Sequence, residues 1–415
     1  MKQRILVVSH GHPDFSLGGA EIAAYNLFEA FKNNDDVEDT WFLARADRGR
    51  GVTGQIHKRR DNEYLWEQGV ANWHLMKSAH QESVTTWFID LLKSLKPTIV
   101  HIHHYAHIGL EFIRAIKKYD SNIKVYLTLH EYMAICKHNG QMVKTGEGMK
   151  LCSSESFDEC RGCFPENTAE DFWLRKHHFK STFDLADGFI SPSEFLRQRY
   201  INWGIDENDI VVIENGQSDL PPLAPRAIED GETRNRFGFF GQVNPYKGID
   251  VLLEALRSMT KDERKSVLVE IHGTNLETQS GEFQVKIKKL AKSLIKEGCL
   301  RWVGPYRPEE QRARLNELDW VIVPSVWWEN SPMVIQEAFT AGRPLIVSNI
   351  GGMAEKVKDG VDGLHFSARN PLELANKLKY AATDKTIWND FYQNITSPLS
   401  YTECAEKHLS FFETR

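Results

Sequence analysis

The sequence predicts an α/β protein made of two similar parallel-sheet domains in series. Three observations carry that expectation. Short β-branched runs alternate with amphipathic helical patterns along the chain, as they do in parallel sheets built from βαβ units. The alternation breaks over residues 217–235, "QSDLPPLAPRAIEDGETRN", which are rich in Pro, Gly and charge and have no apolar period. It then resumes, and a linker between two domains reads this way. At 415 residues the chain is also too long for one ordinary core.

Taken in order, "RILVVSH", "TIVHIH" and "IKVYLTLH" read as strands, and "EIAAYNLFEAFKNN", "VTTWFIDLLKSLK" and "LEFIRAIKKY" as helices. The pattern continues through "GFISPSEFLRQRYINWG" and "DIVVIENG". Beyond the break, "RFGFFG", "SVLVEIHG", "LRWVG", "DWVIVPS" and "RPLIVS" read as strands with helices between them. The expected organisation is a first domain over 1–216, a linker over 217–235, a second domain over 236–396 and a helix over 397–415 free to pack back on the first domain. Ligands of such sheets bind outside the carboxyl ends of the strands.

Composition narrows the class. An apolar fraction of 41% and a charged fraction of 26% belong to a soluble globular protein. With 51 Lys and Arg against 57 Asp and Glu, the formal charge is −6, which disfavours a nucleic-acid partner. No stretch approaches the ~20 apolar residues of a membrane span. The basic and then apolar start is too short for a signal peptide, so a cytoplasmic protein is expected. The oligomeric state is open.

The stretch "VPSVWWENSPMVIQEAFTAGRPLIVS" carries the chemistry. Ser331-Pro332 is a helix start with Ser331 as N-cap, and Gly342 ends that helix. Its N-terminus follows a strand and so makes an anion site. Glu329 lies in the loop beside it, and Glu337 shares the face of Val334 and Ala341. A buried carboxylate needs partners. Sugar or ribose hydroxyls, a backbone N–H or an Arg would each serve. In "FGFFGQVNPYKG", Lys247 opens a helix after a strand and can hold a phosphate, though a solvated loop lysine is the plainer reading. Gly18 and Gly19 precede the first helix and permit close backbone approach. His101 and His103 share a sheet face, and His130 ends a strand. Such histidines are either core residues or, at a strand end, hydrogen-bond donors or bases.

Four of six cysteines, Cys136, Cys152, Cys160 and Cys163, fall in an insert over 136–163. Structural zinc is the first reading, with an iron–sulfur cluster or paired disulfides as alternatives and His138 as a spare ligand. The sequence contains no Asp-x-Asp.

Together these motifs resemble the family 4 retaining glycosyltransferases of the GT-B fold. The strongest part is Glu329-x7-Glu337 with the Gly351-Gly352 turn and the "DGVDGLHF" tail, and "GGAE", "VHIHH", "TLHEY" and "GQVNPYKG" follow in the right order. The Cys-rich insert is similar to that of a bacterial surface-polysaccharide subgroup. The resemblance implies two Rossmann-like domains facing across a cleft, the first for the acceptor and the second for the donor. It implies retaining, metal-independent transfer from a nucleotide-diphosphate sugar to a glycan or lipid-linked acceptor.

The resemblance also assigns roles. Glu329 would bind the donor sugar, Glu337 the ribose, and Lys247 the diphosphate. Asn330, Ser331, Pro332 and Met333 would present backbone groups to phosphate and sugar, Gly18 and Gly19 would bring backbone near the reacting centre, and His130 would contact the sugar. Two positions depart from the family: Gln242 stands where Arg is usual, and Glu131 where Asp is usual. An enzyme acting on lipid-linked acceptors would touch the inner face of the membrane, for which "FWLRKHHFKSTF", 172–183, is a candidate; an ordinary helix is the favoured reading of it. The alternatives to transfer are a sugar-nucleotide epimerase of the same fold and a non-catalytic sugar-nucleotide-binding protein.

Overall fold

The computed structural model describes residues 2–16, 18–46, 53–146 and 148–415. The chain divides into two compact units: Met1–Gly216 with Leu399–Arg415, and Gln217–Pro398.

The first unit is built on an eight-stranded sheet. Its strands run in the order Ile210–Val212, Gly188–Ser191, Lys124–Thr128, Ile99–Ile102, Gln3–Ser9, Val37–Ala46, Glu63–Glu67 and Ile56–Arg60. All neighbours are parallel except the last pair, an antiparallel hairpin at the edge. The central strand Gln3–Ser9 is buried over its last five residues, so it reads as a continuous apolar run. The chain leaves it to one side for Val37–Ala46 and later returns on the other side as Ile99–Ile102. The point where strand order reverses therefore lies at the end of Gln3–Ser9.

Three strands of this sheet, Val37–Ala46, Ile56–Arg60 and Glu63–Glu67, are additional to the sequence reading. The outer one, "IHKRR", is charged and mostly exposed. That composition protects a sheet edge and hides the strand from an apolar-pattern search. The expected helix "VTTWFIDLLKSLK" is split at Thr86 into Gln81–Thr85 and Trp87–Leu95.

The last helix, Tyr401–Glu413, belongs to the first unit. Ser400 and Glu403 form a capping box at its start. Its buried face carries Cys404, His408, Leu409, Phe411 and Phe412. Phe412 stacks on Tyr126 with ring centroids 4.3 Å apart, and the Tyr126 hydroxyl donates to the Phe412 carbonyl at 3.2 Å. Burial of each phenylalanine contributes about 1.5–3 kcal/mol, enough to tie the chain end to this unit.

The second unit has a six-stranded, wholly parallel sheet. Its order is Leu300–Trp302, Leu268–Thr274, Arg236–Gln242, Trp320–Val323, Leu345–Ser348 and Gly363–Phe366. Here the order reverses between Arg236–Gln242 and Trp320–Val323. A core of Phe240, Leu318, Val321, Ile335, Ala338, Leu345 and Val347 packs the helix Met333–Thr340 onto the sheet.

The stretch 217–235 lies along this second unit. Arg226 and Arg234 reach the fully buried Asp319 at 3.0 and 3.2 Å, and Arg343 donates to the Ala224 carbonyl at 3.0 Å. Its order comes from polar anchors, which an apolar period does not report.

Candidate active site

The loops that leave the two central strands of the second unit meet at its switch point. After Arg236–Gln242, the Asn244 side chain accepts from the backbone N–H groups of Tyr246 and Lys247 at 3.0 and 3.1 Å, closing the short turn Pro245–Lys247. Gly248 follows with φ +67, and a Cβ there would lie 1.8 Å from the Pro324 carbonyl. Only glycine allows both that backbone conformation and that approach. The Val326 N–H donates to the Tyr246 carbonyl at 2.8 Å, so the Lys247 loop and the Glu329 loop are laced together.

Glu329 is buried and collects three donors on one oxygen. Lys247 Nζ, Ser325 Oγ and Trp327 Nε1 reach its Oε1 at 2.6, 2.7 and 2.9 Å. Burial pushes this carboxyl up, but the Lys247 charge and the hydrogen bonds from Lys247, Ser325 and Trp327 outweigh it and hold the group below its ordinary value. Glu329 is therefore an ionised group in a shielded site. Its loop is clamped from the far side, where the Gly352 N–H donates to the Glu329 carbonyl at 2.7 Å. A Cβ on Gly352 would lie 1.7 Å from the Asn330 carbonyl.

The helix that follows spans Met333–Thr340, with Pro332 as its N-cap and no side-chain cap. This corrects the expected Ser331 cap: the Ser331 hydroxyl is buried and makes no hydrogen bond. Proline at the cap sets the entry angle, and the Ile335 N–H closes the first turn on the Pro332 carbonyl at 3.0 Å. At the other end, Gly342 N–H reaches the Phe339 carbonyl and Arg343 N–H the Ala338 carbonyl, the paired bonds of a Schellman stop. Glu337 is half-buried rather than fully enclosed and accepts from Gln311 Nε2 at 2.5 Å. Burial raises its carboxyl above the ordinary value, with the Gln311 bond opposing. Gln242 is exposed, and its Oε1 accepts from Asn244 at 3.4 Å. The second unit thus brings together Lys247, Glu329, Asn330, Ser331, Pro332, Met333 and Glu337, with Gln242 at the rim.

The first unit has its own cluster at the reversal beside Gln3–Ser9. Gly18 caps the helix that Gly19 opens. A Cβ on Gly18 would fall 2.2 Å from Glu21 Oε2, so the glycine makes room for that carboxylate. Glu21 is buried, 2.5 Å from Ser16 Oγ and 3.3 Å from His10 Nε2. Burial raises its carboxyl, yet His10 and Ser16 bring it down to about 2. His10 and Glu21 were not singled out by the sequence reading, although both lie in the quoted "SHGHPDFSLGGAE". Their signal is a polar pair flanking a glycine turn.

His130 Nε2 is 3.0 Å from His103 Nδ1, and His101 Nε2 is 2.8 Å from Thr128 Oγ1. Burial lowers His130 to about 3 and keeps it neutral. Glu131, next in sequence, is raised by burial to about 8. The four insert cysteines are half-buried. Among the described residues no three His, Cys, Asp or Glu side chains stand as a metal-holding group. In the helix Ala169–Phe183, Phe172, Arg175, Phe179 and Phe183 are buried, while Trp173 and Leu174 are exposed. No described helix is long and apolar enough to cross a membrane.

Comparison with known proteins bears on both units. Residues 17–217 match the family model described as Glycosyltransferase Family 4, and residues 224–397 match Glycosyl transferases group 1. A D-inositol 3-phosphate glycosyltransferase of Geodermatophilus obscurus is 27% identical over 206 residues, 47% of this chain and 45% of that protein. A lipopolysaccharide 1,2-N-acetylglucosaminetransferase of Salmonella typhimurium is 30% identical over 206 residues, 47% of this chain and 53% of that protein. The chain thus aligns with about half the length of these two relatives. The crystal structure of Anabaena Alr3699/HepE in complex with UDP and glucose superposes with a TM-score of 0.65 at 16% identity, covering 100% of both chains. Its likeness is one of fold. With two adjoining family matches and this architecture, the chain belongs to the family 4, group 1 glycosyltransferases of the GT-B fold.

Proposed function

We propose that the protein transfers a sugar from a nucleotide-diphosphate sugar to a glycan or lipid-linked acceptor, with retention and without a catalytic divalent metal. The observation that carries this reading is the Lys247–Glu329 pair beside the open end of the helix Met333–Thr340. It offers a cation and a helix N-terminus for a diphosphate, and an ionised carboxylate, Glu329, for hydroxyls. The Salmonella relative acts on lipopolysaccharide and the Anabaena structure holds UDP and glucose, which favours a nucleotide sugar and a surface glycan here. The absence of Asp-x-Asp from the sequence favours charge neutralisation by the protein itself.

In this reading the bond from the anomeric carbon to the diphosphate breaks as the acceptor oxygen attacks on the same face. The acceptor proton passes to a phosphate oxygen of the leaving group. Stabilising that departing charge is the main catalytic task. The lysine ammonium has three donors, and one is spent on Glu329, so two remain for phosphate oxygens. Glu337 takes the ribose hydroxyls, Glu329 those of the sugar, and the buried Ser331 hydroxyl gains a phosphate partner. Gly18, Gly19 and His130 are assigned to contact with the sugar. Gln242 supplies hydrogen bonds without charge at the diphosphate, so Gln242→Arg is expected to keep or tighten donor binding.

The test is a panel of nucleotide sugars incubated with and without acceptor. Free nucleoside diphosphate should appear only with acceptor, the product should keep the donor's anomeric configuration, and brief chelation should leave the rate unchanged. An epimerised sugar without acceptor, or prompt loss on chelation that Mg²⁺ restores, defeats the reading.

A further inference from the structure

A cavity of about 570 Å³ opens in the first unit beside His10, well within the size range of small-ligand sites. Its walls come from the loop after Gln3–Ser9, the end of Val37–Ala46 and the edge hairpin. Two guanidinium groups and several imidazoles line it, in a chain whose net charge is −6.

The one carboxylate among the described lining residues, Glu21, is already engaged by Ser16 and His10. The cationic groups are held in place. Arg45 Nε donates to the Gln68 carbonyl at 2.9 Å. Arg59 Nε donates to Asp14 at 3.1 Å, and its guanidinium lies over the Phe15 ring, 4.7 Å from the centroid. Phe15 is 62% exposed, a flat apolar face at the cavity. The Arg59–Asp14 pair is partly exposed, and Asp14 is shared with Arg60, so Asp14 keeps a cationic partner when Arg59 turns to a ligand. A bidentate phosphate or carboxylate can therefore replace Asp14 on the guanidinium fork.

His10 adds a directional element. With Nε2–H given to Glu21, the neutral ring leaves Nδ1 as an acceptor. That atom is buried and has no hydrogen-bond partner, and the ring lines the cavity.

We propose that this cavity is the acceptor site, selecting a saccharide that carries an oxyanion, with Arg59 and Arg45 holding the charge and His10 Nδ1 receiving a sugar hydroxyl. The oxyanion is a phosphate ester or a uronate carboxylate. The proposal rests on the transfer reading above.

Calorimetric titration of glucose, glucose 6-phosphate and glucuronate into the full chain tests it. At least one anionic sugar should bind ten times more tightly than glucose, and the better of the two tells phosphate from carboxylate. Arg59→Gln should abolish that preference, and Arg59→Lys, which keeps charge but loses the fork, should retain part of it. His10→Phe should weaken all three sugars about equally. Equal or undetectable binding of the three, or a preference untouched by Arg59→Gln, overturns the proposal. UDP titrated into the same protein separates the two levels. Binding of UDP without an anion preference defeats only the acceptor assignment, whereas no binding of any nucleoside diphosphate tells against transfer itself.

Discussion

Lys247 Nζ lies 2.6 Å from Glu329 Oε1, so two residues 82 positions apart, expected to hold different parts of a donor, are bound to each other. The pair keeps Glu329 ionised in a buried place. Removing Lys247 alone strands a carboxylate. Lys247→Ala should therefore destabilise the protein more than the double variant Lys247→Ala, Glu329→Ala does. In a double-mutant cycle read by urea unfolding, the coupling should be about 1–3 kcal/mol, discounted for the partial exposure of Lys247. Turnover should be lost in each variant without additivity. Near-normal transfer by Glu329→Ala would remove its assigned role.

Glu337 should trade stability for binding. Burial raises its carboxyl above the ordinary 4.5, so the folded chain keeps a proton that the unfolded chain has released. The stability from this group is present below 4.5 and is lost as pH rises through the raised value. Glu337→Gln removes that loss. The variant's melting temperature should gain on the parent's as pH rises above 4.5, while its affinity for UDP falls about tenfold, or about 1.4 kcal/mol. A variant that binds UDP normally would leave Glu337 a structural residue.

The two glycines Gly352 and Gly360 separate contact from conformation. A Cβ on Gly352 meets the Asn330 carbonyl at 1.7 Å, whereas Gly360 has φ +74 and nothing within 4 Å. Gly360→Ala should cost about 1–2 kcal/mol from its left-handed backbone and leave UDP affinity alone. Gly352→Ala must push back the Glu329–Asn330 loop and should reduce UDP affinity more than tenfold. Equal effects of the two on affinity would show that the loop is not set by this contact.

How much of this was legible follows from what each residue reports. Buried parallel strands such as Trp320–Val323 and Leu345–Ser348 are continuous apolar runs, and sequence shows them plainly. Glu329 and Glu337 stood out because carboxylates in an apolar stretch are out of place in a core, whereas Lys247 drew its role only from the family resemblance. The edge hairpin was not, because its exposed strand is written in charge. Nor was the partnership of Lys247 with Glu329, since register between loops 82 residues apart depends on backbone contacts such as Gly248 against Pro324. His10 and Glu21 were hidden by the glycine turn between them, whose conformation alone brings them together. The Ser331 cap was misread because Pro332 takes the N-cap position itself.

The insert cysteines remain a proposal of structural zinc. The helix Phe157–Cys163 keeps Phe157, Cys160 and Cys163 half-buried and exposes the rest. Burial pushes the Cys136 and Cys160 thiols up to about 11, and metal would convert them to thiolates. Purified protein should contain about one zinc per chain, and Cys160→Ser should release it. Elemental analysis that finds no zinc, or finds iron, rejects the assignment.

A pH response should be written into the histidines under the last helix. His408 lies 5.3 Å from His101 between ring centroids, and His101 lies 4.4 Å from His103. Burial lowers His408 to about 4, with its bond to the Cys404 carbonyl opposing, and burial holds His101 and His103 well below 6.5. These rings are neutral when folded, and His101 Nδ1, His103 Nε2 and His408 Nε2 are buried without a hydrogen-bond partner. The unfolded chain takes up protons below 6.5 that the folded chain refuses. Stability is therefore full above 6.5 and is lost as pH falls toward about 4. Each unmatched proton steepens that loss by about 1.4 kcal/mol per pH unit. His408→Leu removes one such proton while keeping an apolar side chain against Phe31 and Phe412. Urea midpoints measured from pH 7.5 to 4.5 should fall less steeply for this variant than for the parent. Identical slopes would mean that His408 is protonated in the folded chain, and that the last helix does not couple docking to pH.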